Sequence, residues 1–434
     1  MSLLSIVVSI IGLGLLAAAH EIGHFLMAKR LGIKVEELSI FVGPSLFHWK
    51  RKEVEYHIRL IPFGAYVRFM GLEDEDGGIS NPDSFFNQPR WKRLIVALAG
   101  PITNLVLGVL IFAVMFSVFG FLSTNLDQMK DGTQIAGTAA VPGDEIIEVN
   151  GTRIYTQLDL SYVLYNVPEK EPVTMLLRSK DTGKQYSITL TPTITSQYRL
   201  GITVMSGSDE NNGMAVIEVD PSQNGGNPVL KAGDSLIAVN GIAVDDPGYA
   251  EVVSGSNGSE LTATIIRDGV KQDVKLKTTT FDTSNSRGIF LVPGEGIGSL
   301  LKESVLYSIS IIKVSMYSLG DVAEGKVAVQ DAVTGPVGIA TIVSDVVDAP
   351  ATNNSVKLEN LGTLAGLISV GLAFSNLLPL PGLDGNAMVL VVIEMIRGKK
   401  ISLQTERVIN GVGFVVLIAL VIFALSSDIM RLVG

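Results

Sequence analysis

Ala19-His20-Glu21-Ile22-Gly23-His24 sets two imidazoles four residues apart, with a carboxylate directly after the first. On a helix, side chains at i and i+4 share a face, so His20 and His24 can grip a single metal ion. Glu21 can then act as the base for a water that the metal activates. The motif also arises by chance in unrelated chains, and a solvated helix that happens to match is the bland alternative. The setting argues against it. The motif lies in an apolar run from Leu3 to Met27, long enough to cross a bilayer. Ionisable side chains there cost a few kcal/mol each and seldom persist without a task.

A second chemistry-bearing stretch lies near the other end. Leu361 to Ile396 is apolar but is interrupted by Asn376-Leu377-Leu378-Pro379-Leu380-Pro381-Gly382-Leu383-Asp384-Gly385. Two prolines and two glycines do not fit one continuous helix, so the backbone must unwind there. Unwound backbone in a membrane is tolerated only against protein or a water-filled cavity. Asp384 is therefore either a functional intramembrane carboxylate or a cap on the helix that restarts at Gly385. With no cysteine and four histidines in the chain, metal ligands must come from imidazoles and carboxylates.

The elements that position these residues follow from composition and charge. Of 434 residues, 47% are hydrophobic and 18% charged, too apolar for a soluble protein and too charged for membrane spans alone. Spans plus an exposed domain fit better. A net charge of −10 argues against a nucleic-acid partner. The first run lacks a basic start and a cleavage site, so it reads as a retained span rather than a signal peptide. Lys29 and Arg30 close it, and Lys34, Lys50, Arg51, Lys52, Arg59, Arg68, Arg90, Lys92 and Arg93 follow. A basic cluster between spans belongs on the cytoplasmic side, which puts the N-terminus outside.

Within that loop, Glu53 to Leu60 alternates polar and apolar as a half-buried strand does, Pro62-Phe63-Gly64 breaks it, and Ala65 to Met70 suits a return strand. Such a hairpin is either an ordinary loop or a sheet edge beside the site, to which an extended substrate adds as a strand. His57 has no second ligand at strand or helix spacing and reads as structural. Leu94 to Leu122 is a second span; its Gly100-Pro101 suits close helix packing, and Asn104 is either a packing hydrogen bond or a site residue. From Asp127 to Phe281 the chain turns polar and Gly-rich, and one decamer recurs. Pro142-Gly143-Asp144-Glu145-Ile146-Ile147-Glu148-Val149-Asn150-Gly151 returns as Ala232-Gly233-Asp234-Ser235-Leu236-Ile237-Ala238-Val239-Asn240-Gly241. Both copies resemble the Gly-Asp-x-Ile-x-x-Val-Asn-Gly signature of PDZ domains. The resemblance implies a tandem pair, which either binds peptide as an added strand or acts as a steric filter; lying beyond the second span, the pair is expected outside the cytoplasm. Gly298 to Leu319 carries Lys302, Glu303 and Lys313 and reads as an interfacial amphipathic helix. Thr334-Gly335-Pro336-Val337-Gly338 is a turn signal, and Val408 to Leu425 is the last span.

Depth tests whether the two chemical stretches can meet. His20 lies about 26 Å along the helix from Leu3, and Asp384 at most about 34 Å from Leu361. In a hydrocarbon core of about 30 Å both fall in the cytoplasmic half, so His20, His24 and Asp384 can form one site. Three protein ligands with an open fourth position are the pattern of a catalytic zinc.

The chain resembles the site-2 protease family of intramembrane zinc metalloproteases, of the bacterial regulator-of-sigma-E-protease type. The resemblance rests on the His-Glu-x-x-His motif, the tandem insertion and Asn-x-x-Pro-x-Pro-x-Leu-Asp-Gly, in that order. It implies that His20, His24 and Asp384 bind Zn2+, that Glu21 is the catalytic base, and that Asn376 helps to hold substrate. Arg59 to Met70 matches the family's membrane-associated β-loop, which implies substrate contacts at Phe63, Gly64, Tyr66 and Val67. Two departures stand out. Gly64-Ala65-Tyr66-Val67 replaces the usual Gly-Gly-Tyr-Val, and Ser39-Ile40-Phe41-Val42-Gly43-Pro44 replaces Ser-Ile-Gly-Phe-Gly-Pro. The expected architecture is a polytopic α-helical membrane protein with four transmembrane helices, a membrane-associated β-hairpin and two tandem extracytoplasmic PDZ domains of α+β type. Its parts are a first span at 1–29, a cytoplasmic-side loop with the hairpin at 30–93, a second span at 94–122, PDZ domains at 127–205 and 206–290, an amphipathic helix and connector at 298–345, a broken third span at 361–397 and a fourth at 408–427. The expected activity is cleavage of single-span proteins within their transmembrane segments, after a first cut outside. Anti-sigma factors or remnant signal peptides would be the substrates, and a monomer in the bacterial inner membrane the working form. Two alternatives are a catalytically inert PDZ-bearing scaffold and a metal transporter; the second and fourth spans lack the ligand trail that a transporter needs.

Overall fold

The computed structural model describes residues 2–71, 80–205, 213–332, 334–349 and 353–433. The chain divides into two compact units, Met1–Thr124 with Arg153–Tyr162 and Val292–Gly434, and Asn125–Thr152 with Val163–Leu291.

The first unit is built on α1 (Leu3–Arg30), α2 (Arg90–Phe119), α3 (Ile297–Ala323), α4 (Pro336–Val347), α5 (Asn354–Leu377), α6 (Asp384–Arg397) and α7 (Leu403–Val433). Among the described residues, α1, α2, α3, α5 and the Gly411–Arg431 part of α7 are long and apolar enough to cross a membrane. The ends of these helices are tied at three places. At one end, Lys92 Nζ donates to the Leu31 carbonyl (2.8 Å), Arg90 to the Gly398 carbonyl (3.0 Å), and Arg93 Nη1 to buried Glu394 (2.9 Å). This joins the C-terminal ends of α1 and α6 to the start of α2. At the other end, the Ser2 N–H and hydroxyl donate to Asp348 just past α4 (2.9 and 2.6 Å). A third tie lies at the opposite end of α4, where Asp428 of α7 accepts the N–H groups of Gly335 and Gly338 (3.1 and 2.8 Å). A Cβ at either glycine would lie within 2.7 Å of that carboxylate, so the Thr334–Gly338 turn signal is a seat for Asp428.

The hairpin pairs differently from the expectation. Its strands are β1 (Val35–Arg51) and β2 (Val54–Phe69), antiparallel, with the turn at Lys52. The segments expected to face each other across Pro62-Phe63-Gly64 are successive parts of β2. Both lie against β1, so that Leu38 pairs with Tyr56 on one side and Val67 on the other. Pro62 to Gly64 is an irregularity between the Ile40↔Ala65 and Val42↔Ile61 pairs, where a proline without an N–H and a glycine at φ 77 bend the strand. Opposite it, Phe41 has φ 68, a backbone region that favours glycine, at the position where the resembling family often has glycine. This bend docks on α1 at Gly14, where a Cβ would lie 2.3 Å from the Pro62 carbonyl and 3.0 Å from the Phe41 ring. Gly14 is about 17 Å along α1, so the hairpin reaches well into the depth of the apolar helices. Glu37, 3% exposed, holds the curl together by accepting from Arg59 (2.7 Å), Tyr66 (2.7 Å) and Arg68 (3.0 Å).

In the second unit the recurring decamer is a structural repeat. Glu145–Val149 and Ser235–Val239 each pair with a neighbour, Val173–Arg178 and Glu260–Arg267, across the same one-residue bulge, at Ile146/Glu148 and Leu236/Ala238. Both turn asparagines have positive φ, 48 and 49. Each exchanges two bonds with the next strand: Asn150 with Thr174 (2.8 and 2.9 Å), Asn240 with Thr262 (2.7 and 2.8 Å). Both aspartates tie the preceding loop, Asp144 accepting from the Val141 N–H (3.1 Å) and Asp234 from the Lys231 N–H (2.8 Å). The five-stranded paths run in matching order, but the outer strand of the first sheet, Leu291–Pro293, comes after the second repeat in sequence. The second repeat is thus threaded between strands of the first, where two units strictly in tandem were expected. Local pattern fixes neighbouring strands and leaves such a late return invisible.

Asp234 is 1% exposed and also bonds Arg267 at 2.7 Å. Burial raises its pKa, but Arg267 and the Lys231 N–H outweigh this and hold it below the ordinary value. Asp234→Ala should destabilise the second repeat by about 1–3 kcal/mol at pH 7, read as faster amide exchange over 214–277 in the full chain. Because the folded pKa is depressed, the stabilisation is present above about pH 4 and is lost as pH falls further. The difference between wild type and variant should therefore shrink on acidification.

Candidate active site

His20, Glu21 and His24 lie on the inward face of α1, with both histidines 7% exposed. Their ligating atoms and that of Glu21 lie within 4.8 Å of one another. Asp384 joins them from the far end of the chain. Its Oδ2 is 2.9 Å from His20 Nε2 and 3.2 Å from His24 Nε2, and the two Nε2 atoms are 3.1 Å apart.

The break between α5 and α6 delivers that carboxylate. α5 ends at Leu377, Leu378 turns to extended backbone, and α6 starts at Asp384 itself, after Leu383, which makes no side-chain cap. The capping alternative for Asp384 is thereby removed: its side chain goes to the histidines. Gly385 lets the first turn of α6 tuck under α5, since a Cβ there would lie 2.1 Å from the Leu378 carbonyl.

α2 presses on the same site along one face, at four-residue steps. The Val96 carbonyl is 2.7 Å from His24 Nδ1; a carbonyl only accepts, so Nδ1 carries the proton and Nε2 is free to ligate. Asn104 is 3.4 Å from His20 Nδ1. Between them, a Cβ at Gly100 would lie 2.3 Å from His24 Nε2 and 2.7 Å from His20 Nε2. Gly100 is thus required by the ligands themselves as well as by helix packing. Gly23 makes the reciprocal allowance on α1, where a Cβ would lie 2.3 Å from Thr103 Oγ1.

Around a tetrahedral zinc with bonds near 2.0–2.1 Å, adjacent ligand atoms stand about 3.3 Å apart. The triangle of His20, His24 and Asp384 has nearly that edge, and two nitrogens and a carboxylate oxygen form a donor set that zinc accepts. The residues fit the metal. A cavity of about 370 Å³ adjoins them, lined by Glu21, His24, Asp384, Val67, Phe69 and Arg93. Val67 of the hairpin lines this cavity together with Glu21. One edge of the hairpin therefore reaches the carboxylate expected to act as base.

The other residues singled out from sequence scatter. Gly64 lines a separate apolar cavity of about 520 Å³ with Leu13, Leu16 and Ala17 of α1 and Ser375 of α5. Tyr66 directs its hydroxyl to Glu37, inside the hairpin. Asn376 stands half-buried in the last turn of α5 and does not line the metal-side cavity. The side chain of Phe63 lies outside the described residues. His57 is held by Ser45 (3.0 Å) and lies 3.6 Å from Glu37. Sequence reasoning missed Val96, which acts through its backbone and leaves no signal. It gave Gly100 to helix packing alone and left Asn104 open between packing and the site; their four-residue spacing in an apolar run was the available clue.

The sequence model for peptidase family M50 matches residues 8–420. A Clostridium acetobutylicum protein named "Putative zinc metalloprotease" is 27% identical over 430 residues, covering 99% of this chain and 98% of the relative. A protein of the same name from Agrobacterium fabrum is 24% identical over 443 residues (99% and 96%). The zinc metalloprotease RasP of Geobacillus kaustophilus is 25% identical over 443 residues, 98% of each chain.

Gly100→Ala should strip the site of zinc, because the added methyl occupies space that the two Nε2 atoms need. Metal analysis of purified protein should find the variant at least tenfold poorer in zinc affinity than wild type, with helix content unchanged.

Proposed function

The chain belongs to peptidase family M50, and on that premise we propose that it is an intramembrane zinc protease that hydrolyses peptide bonds inside transmembrane segments of single-span proteins. The observation that carries this reading is the convergence of His20, His24 and Asp384 within 3.2 Å among helices apolar enough to be membrane spans. The fold and the family agree on an integral membrane metalloprotease.

His20, His24 and Asp384 hold the metal. When bound, zinc acidifies a water and polarises the scissile carbonyl. Glu21 takes the proton of the attacking water and passes it to the departing amine. Val67 and Phe69 border the cavity beside Glu21, so a substrate strand laid along this edge presents its peptide bond to the base. Pairing of this kind is what an intramembrane protease requires, because a helix keeps its amide bonds internally satisfied and closed to attack.

The working topology has four spans, with the N-terminus outside and the site toward the cytoplasmic side of the bacterial inner membrane. The contacts that join the C-terminal ends of α1 and α6 to the start of α2 support opposite directions for α2 and the other two. α3 is apolar enough for a fifth span, with a mean hydropathy of 1.2 against 2.3 for α1. Its middle argues for an interfacial helix: Lys313 pairs with Asp159 (3.1 Å) and Ser310 donates to Asp159 (2.7 Å). The repeats act as extracytoplasmic PDZ domains that bind peptide or exclude bulky substrates. Substrates are anti-sigma-factor-like proteins or remnant signal peptides already shortened outside, which makes the reaction a step of regulated intramembrane proteolysis in envelope-stress signalling.

Purified protein incubated with a single-span substrate should cleave it, and Glu21→Gln should lower the rate by roughly 10²–10⁴-fold. Zinc chelation should abolish cleavage. Equal cleavage by wild type, Glu21→Gln and chelated enzyme would end the protease reading. In the same topology, a cysteine placed at Lys50 should react only with reagents supplied from the cytoplasmic side; labelling from outside would overturn it.

A further inference from the structure

We propose that Asn104 is the positioning residue for His20, its amide oxygen accepting the Nδ1–H so that Nε2 faces the metal. The inference rests on the zinc reading of the site. Asn104 is fully buried in α2, with its amide 3.4 Å from His20 Nδ1. Its Oδ1 is buried and has no hydrogen-bond partner. The two ends of a side-chain amide are nearly alike in shape, and which one faces a neighbour is settled by the hydrogen-bond network. With the nitrogen toward His20, Nδ1 must be a bare acceptor, which moves the imidazole proton to Nε2, the atom that has to ligate. Turned by half a rotation, Oδ1 gains the Nδ1–H as its donor, and Nε2 is left with a free lone pair.

The second ligand shows the same chemistry without ambiguity. His24 Nδ1 lies 2.7 Å from the Val96 carbonyl, which can only accept. α2 thus offers one acceptor to each imidazole, two helical turns apart, with Gly100 between them where the helices touch. The support for Asn104 is itself braced. Buried Ser369 on α5 donates to the Asn104 carbonyl at 2.8 Å. α5 is the helix whose break presents Asp384, so the shell that orients His20 is linked to the element that brings the third ligand.

The alternative is that Asn104 only packs, as a donor across the helix interface. Aspartate separates the two, because it keeps the acceptor and removes the donor. Full-length wild type, Asn104→Asp and Asn104→Leu would be loaded with Zn2+ in detergent and titrated with a chelator. Asn104→Leu should release zinc about 10–100-fold more readily than wild type, while Asn104→Asp should stay close to wild type. Zinc held equally by Asn104→Leu and wild type, or lost by Asn104→Asp as readily as by Asn104→Leu, would overturn the assignment. A wild type that takes up no zinc would instead bring down the metal reading itself.

Discussion

Polar atoms surrounded by apolar helices have no water to fall back on, so each must find its partner in the protein. Placing two imidazoles on α1 sets the terms for everything packed against them. One ring nitrogen of each must point at the metal position, and the other must meet an acceptor from a neighbouring helix. α2 meets that demand by coming close enough for the backbone of Val96 to serve, which in turn forbids any side chain at Gly100. The third carboxylate comes from the start of a new helix. The chain unwinds between Leu377 and Asp384, and Gly385 fills the one position where a Cβ would strike the end of α5.

Much of this was legible in the sequence because the signals are local. The histidine spacing, the long apolar runs, the proline-glycine break with its carboxylate and the duplicated decamer each fit inside a short window. The parts that escaped depend on distant residues. Alternation marked both halves of β2 as strand, but nothing in it says that β1 lies between them, and Pro62-Phe63-Gly64 has the composition of a turn whether it reverses the chain or only bends it. The return of Leu291–Pro293 to the first sheet is of the same kind. A backbone carbonyl such as that of Val96 is the same in every residue and leaves no mark at all.

Phe41 joins the two levels. Its left-handed backbone costs on the order of 1 kcal/mol in a residue with a side chain. The side chain whose Cβ imposes the cost also packs its ring beside Gly14, at the point where the hairpin meets α1. The departure from the family's usual glycine thus exchanges backbone ease for a side-chain anchor, and it does so next to the edge that reaches Glu21.

The separation of His20 from Asp384, 364 residues along the chain, has a consequence for biosynthesis. At roughly 5–20 residues per second, a ribosome needs on the order of 20–70 s to travel from one to the other. For that interval the first helix can already be inserted with its two imidazoles, yet it lacks the ligand that closes the metal triangle. On the proposed reading, the three-residue cluster, and with it the capacity for hydrolysis, is complete only once Asp384 has been made.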